Sequence, residues 1–242
     1  MTIQPIIDII HKKGVRMNYI EQLDNILLSD NVVDNFYNAY NNNRDFRKDI
    51  DTHIPEINLC EKQQQNNPWH KYNVLSHILH SVDAINNQTN NLNKNERRLL
   101  AYVMFFHDIG KPKCHIERLK DGKKIDSFFN HNIESAKIAK QHAKELGFDK
   151  KDEKILEKLV FKHDIFMFIK DFPTTNPHWR QLTPNLIKDE IDDLNSVGDG
   201  YKLMQFLIMI GRADNLAQNE KMTKESLVML DKIDKMLDKI QA

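Results

Sequence analysis

The sequence predicts an all-α protein, and three observations carry that class. Only 7 Gly and 7 Pro punctuate 242 residues, so turn formers are scarce. Apolar residues recur at helical spacing in one window after another. No long alternating strand pattern and no internal repeat occur.

The elements follow in order. Ile20, Leu23, Ile26 and Leu27 mark a first helix, and Val32, Val33, Phe36 and Tyr40 a second. A polar, Pro-containing passage from about Asp51 to Pro68 breaks the pattern. Residues 1–50 therefore read as an N-terminal helical extension, and residues 51–242 as the compact body. Val74, Leu75, Ile78, Leu79, Val82 and Ile85 define a strongly amphipathic helix. Asn93 is a plausible N-cap for a helix through Leu99, Leu100, Val103, Phe105 and Phe106. That helix should end near Gly110-Lys111-Pro112, where Gly permits a C-cap and Pro stops the helix. Asp121-Gly122 signals a turn, and 113–130 reads as a short hairpin. Helical windows follow at Ile133–Leu146, Ile155–Ile169, Pro184–Leu194, Tyr201–Leu216 and Leu227–Ile240, with a Pro173/Pro177 loop between the second and third. Asn-rich stretches such as NNQTNNLNKN lower helix propensity slightly and read as chemically silent.

Composition excludes several classes. At 29% charged and 40% hydrophobic the chain is not disordered. No run of about 18 apolar residues occurs, so no membrane partner is expected. The amino terminus lacks a basic start, its apolar stretch is broken by Asp8, and it does not read as a signal peptide; Met17 offers an alternative start. Thirty-five basic residues balance 35 acidic ones, which argues against a broad nucleic-acid coat. Two cysteines, Cys60 and Cys114, do not make a disulfide framework, and a cytoplasmic location is expected. Oligomeric state is not readable.

The unusual number is 11 histidines. His77 and His80 sit on the Val74–Ile85 helix, His107-Asp108 closes the next, His131 opens another and His163 lies late in one. Asp214 falls among Leu207, Ile208, Ile210 and Leu216, a poor home for an unpartnered charge. Imidazole and carboxylate together suit Mn, Fe, Ni, Co, Zn or Mg. A single His on an apolar helix is more often a hydrogen-bonded core residue, and His163-Asp164 shows how easily the dipeptide recurs. Context favours His107-Asp108, which follows LLAYVMFF and precedes IGKP. Lys111, one short turn on, suits a phosphate.

This order, His77, His107-Asp108 and Asp214 with HDIGKP at its centre, resembles the HD-domain metal-dependent phosphohydrolases, over roughly Glu56 to Leu216. QNNPWHKYNVLSHIL is similar to the entry helix of the HD domain of bacterial tRNA nucleotidyltransferases and their stand-alone relatives, and FFNHNIESAKIA resembles a segment that follows there. The resemblance implies an HD-domain helical bundle. It implies one metal ion on His77, His107, Asp108 and Asp214, and a second, bridged by Asp108, on His131 and His163. Asp108 and Lys111 would then be the catalytic residues, with Lys111, Arg212 and His70 as substrate contacts. Arg212 lies two residues from Asp214, which turns it to another helix face. His70 reads equally as a contact or a cap. His80 reads as structural, His115 stays open, and His11, His53, His142 and His178 read as surface residues without partners. The nucleotidyltransferase catalytic domain has no counterpart in residues 1–50, which excludes CCA addition. The Gly-Tyr-Pro signature of cyclic-di-GMP hydrolases is also missing, and no helicase or synthetase region is recognised.

The expected activity is hydrolysis of a nucleotide or RNA-end phosphate, monoester or cyclic diester, by metal-activated water, with Asp108 or a nearby histidine taking the proton. The competing readings are a metal-containing nucleotide or RNA sensor without turnover, and a structural helical protein with no metal.

Overall fold

Asparagine starts many of the helices. In this computed structural model, which describes residues 18–241, the side chains of Asn18, Asn31, Asn43, Asn73 and Asn93 each accept an N–H of the following turn. Each cap of this kind stabilises its helix by about 1 kcal/mol. The asparagines at these positions are thus start signals rather than silent filler. His11 and Met17 lie outside the described residues, as does the amino-terminal stretch assessed as a leader.

Among the described residues there are eleven α-helices and two small strand pairs. The first four helices are α1 (Tyr19–Leu27), α2 (Val32–Asn42), α3 (Arg44–His53) and α4 (Glu56–Lys62). The last two correct the expected break at Asp51–Pro68. Phe46 and Ile50, then Ile57 and Cys60, are buried at helical spacing, and the intervening charges only mask the stripe. Helix α3 also crosses the expected domain boundary at residue 50. Leu23, Leu27 and Phe36 belong to the same hydrophobic core as Leu79, Phe105 and Leu207. Polar ties reinforce the junction: Asp24 accepts from Tyr102 Oη at 2.7 Å and from Arg98 Nε at 2.9 Å, and Asn86 Nδ2 donates to Leu27 O at 2.8 Å. The extension is therefore packed into the body.

The centre of the molecule is α5 (Val74–Asn86), α6 (Lys94–Phe106) and, later in the chain, α10 (Gly200–Leu216). Every residue of α6 from Leu99 to Phe106 is buried, so its end delivers His107 and Asp108 into the interior. Gly110 does not cap this helix in the left-handed conformation, since its φ is −79°. It is needed for close approach instead. A Cβ there would lie 2.6 Å from Ser135 N and 2.8 Å from His131 O.

The Asp121-Gly122 turn does form a hairpin, β1 (His115–Lys120) with β2 (Lys123–Phe128). Both turn residues have positive φ, 50° and 74°, which matches a type I′ turn. Then α7 (His131–Ala143) packs on α8 (Lys150–Lys162). Beyond the loop with Pro173 and Pro177 come α9 (Pro184–Leu194), α10 and α11 (Glu220–Gln241), the last packed on α10. No described helix is long and apolar enough to cross a membrane.

Candidate metal centre

Five helices converge on one buried point. His77 lies on α5, His107 and Asp108 follow α6, His131 opens α7, His163 follows α8, and Asp214 lies on α10. They form two groups that share Asp108. In the first, His77 Nε2 lies 3.1 Å from Asp108 Oδ2 and 3.0 Å from Asp214 Oδ1, and His107 Nε2 lies 3.3 Å from Asp108 Oδ2. In the second, Asp108 Oδ1 lies 3.2 Å from His131 Nε2 and 3.7 Å from His163 Nε2. One carboxylate thus turns an oxygen to each group.

The tautomers are set by the backbone. The Nδ1 atoms of His107, His131 and His163 face the carbonyls of Met104, Phe128 and Val160 at 2.6, 2.8 and 2.7 Å. His77 Nδ1 faces Ala217 O at a longer 3.4 Å. Carbonyls only accept, so Nδ1 carries the hydrogen and Nε2 of each neutral ring presents a lone pair to the centre. Those Nε2 atoms meet in pairs, 3.2 Å apart for His77 with His107 and 3.1 Å for His131 with His163. Facing lone pairs repel unless a proton or a cation sits between them. Nitrogen and carboxylate donors in this arrangement fit divalent metal ions.

Electrostatics agree. Burial alone would raise the Asp108 carboxyl, but Lys111 and His107 overcome it and hold Asp108 well below the usual carboxylate range. Burial opposes ionisation of Asp214 too, and hydrogen bonds from His107 and His77 hold it well below that range. The His107 imidazole is pulled down by burial, then pushed up to about 10 by Asp108 and Asp214. Burial lowers His163 to about 4.

Lys111 departs from its expected role as a free phosphate contact. It is buried, and its three N–H donors meet Asp108 Oδ2 at 2.6 Å, Gln65 Oε1 at 2.8 Å and His70 Nε2 at 3.4 Å. It orients Asp108. Arg212 is also placed elsewhere: its guanidinium binds Asp234 at 2.8 Å and Asp231 at 3.0 Å on α11, away from the cluster. His70 does border the site, its ring centroid 5.0 Å from that of His77, and its buried Nδ1 has no partner. Burial and Lys111 lower its pKa to about 2, so it stays neutral.

The remaining histidines divide. His80 stacks on Tyr72, as a structural residue would. His115 pairs with Asp126 at 2.8 Å. His53 and His142 are not free surface residues. His53 stacks on Tyr19 and meets Glu145, while His142 stacks on Phe106 and meets Glu56. Among described residues, His178 alone of the group read as surface residues is exposed.

Sequence reading missed two supports. Gln218 Nε2 donates to Asp214 Oδ1 at 2.9 Å, and its i+4 spacing was the available signal. Gln65, which fixes Lys111, comes from a loop far away in sequence and gave no signal.

Above the centre opens a cleft of about 580 Å³, with Asp108, His131, His163 and Asp214 at its buried end. No curated protein matches the chain. A family model described as HD domain matches residues 74–235, which include every ligand candidate named above. Matched over that span, and with its paired His/Asp groups built around one carboxylate, the chain belongs to the HD-domain family, a superfamily of metal-dependent phosphohydrolases.

Proposed function

We propose that this protein hydrolyses a phosphate ester of a nucleotide or of an RNA end, either a monoester or a cyclic diester. The division of Asp108 carries the reading, because it gives each of two histidine pairs one carboxylate oxygen. A divalent ion held by these residues supplies Lewis acidity, which makes water nucleophilic near neutral pH and offsets phosphoryl charge. The histidine-rich donor set favours Mn, Fe, Ni, Co or Zn over Mg.

The chain's own residues do the positioning. Lys111 and Gln65 fix Asp108, and Gln218 fixes Asp214. The unpartnered Nδ1 of neutral His70 is a donor for a substrate oxygen. In the reaction a water oxygen bonds to phosphorus while the ester P–O bond breaks. One water proton passes to a base, and the leaving oxygen takes one up. Asp108 or a neighbouring histidine accepts the first. The similarity of QNNPWHKYNVLSHIL to the entry helix in tRNA nucleotidyltransferases supports the RNA-end choice.

The test is a panel of nucleotide and RNA-end monoesters, linear diesters and cyclic diesters with metal-reconstituted protein. Hydrolysis is expected for at least one nucleotide class, and a His107→Ala/Asp108→Ala variant should be inactive. Equal activity in both proteins would attribute the signal to a contaminant. Thermal stabilisation by a nucleotide without product would mark a binding module instead.

A further inference from the structure

We infer that the β1–β2 hairpin carries a second subsite, which binds the neighbouring nucleotide of a single-stranded oligonucleotide end. The inference rests on the phosphoester reading above and deepens it. Among the described residues, three Lys or Arg side chains line the cleft, namely Lys111, Arg118 and Lys120. Lys111 is fully engaged by Asp108, Gln65 and His70. The cations left for substrate charge are therefore on the hairpin.

The register explains why they remain available. Arg118 and Lys120 are two residues apart on β1 and share one face. Glu117 lies on the opposite face, where it pairs with Lys124 at 2.7 Å. Arg118 Nε donates to the neutral Ser127 Oγ at 2.8 Å. Asp126, the hairpin carboxylate that borders the cleft, is taken by His115 at 2.8 Å and by Asn66 N at 2.7 Å.

Each cation also lies over an aromatic ring at the open end of the cleft. Arg118 Cζ is 4.7 Å from the Phe129 centroid, and Lys120 Nζ is 5.7 Å from that of Trp69. Phe129 is 57% exposed and Trp69 40% exposed, so each residue keeps accessible surface beside its cation. The backbone that carries Trp69 is anchored, since its carbonyl accepts from Asn219 N at 2.8 Å and Pro68 O accepts from Asn219 Nδ2 at 2.9 Å. Cations interleaved with exposed aromatics suit a phosphate backbone with stacked bases. A single phosphomonoester in the buried end would leave this wall unused.

The experiment compares metal-loaded wild type with R118A/K120A and the length-preserving R118Q/K120Q. One readout is anisotropy of a fluorescein-labelled single-stranded RNA hexamer. The other is hydrolysis of bis(p-nitrophenyl) phosphate, which needs only the buried end. Both variants should bind the hexamer at least tenfold more weakly and hydrolyse the small diester within twofold of wild type. With about 0.7 per phosphate contact, the slope of log affinity against log salt should shrink by about 1.4. W69A should weaken hexamer binding without changing that slope. Unchanged hexamer affinity in the double variants, or adenosine monophosphate competing as tightly as the unlabelled hexamer, would overturn the subsite. So would a parallel fall in small-diester hydrolysis, which would make the hairpin only a support for the centre. If wild type binds the hexamer through these residues but hydrolyses no ester, the hydrolase reading fails and the subsite stands.

Discussion

Asp108 is the residue on which both groups depend, and substitution separates their contributions. His131→Ala should lower bound metal by one equivalent, while Asp108→Ala should remove both, as read by elemental analysis of untagged protein. Equal loss in the two variants would show that the groups do not act as separate sites. His107 supplies a pH signature in metal-free protein. Its pKa rises from an ordinary value of about 6.5 to about 10 in the folded chain, despite burial, because Asp108 and Asp214 face it. A raised imidazole stabilises fully below the unfolded value, and that stability is lost as pH climbs through the folded value. In EDTA, stability should therefore drop between pH 7 and 10, more steeply than that of His107→Gln. Metal binding at pH 7.5 should displace this proton, so calorimetry in buffers of different ionisation enthalpy should report its release. No release would refute a charged His107.

At the scale of elements, the turn after α6 and the first turn of α7 hold the two groups together. Gly110 permits this contact, and its N–H donates to Ser135 Oγ at 2.9 Å. Gly110→Ala forces a methyl against the backbone of α7, which should cost about 1–3 kcal/mol in urea denaturation. The same shift should weaken metal binding at His131 more than at His77. Helix periods in α5, α6 and α10 were legible in the sequence because buried Leu, Ile and Phe recur without charged interruption. Helices α3 and α4 were not, because runs such as RDFRKDIDTH dilute two buried residues, Phe46 and Ile50, among charges. The ligand candidates were legible because His and Asp are conspicuous on apolar helices. Ion pairs across elements were not: nothing in the local sequence links Arg212 to Asp231 and Asp234, or Lys111 to Gln65.

For the whole molecule, a boundary at residue 50 proves to be no seam. A chain beginning at residue 51 would uncover the core surface now covered by Leu23, Leu27, Val32, Phe36 and Tyr40. Each of these side chains contributes about 1.5–3 kcal/mol by burial, so the truncated chain should aggregate or fail to melt cooperatively. A soluble truncation with the parent's circular dichroism and a cooperative melt would contradict this. The charge balance acquires a shape at this scale as well, with acidic ligands at the buried end of the cleft and, at its open end, two hairpin cations without a carboxylate partner among the described residues. The convergence of five helices has one more consequence. Ligands drawn from residues 77 to 214 make a bound ion a clasp that the unfolded chain cannot reproduce. By mass action, each tenfold rise in free metal above the dissociation constant then adds about 1.4 kcal/mol per site to folding. Removal of the ion should therefore lower the melting temperature, as read by calorimetry with and without chelator.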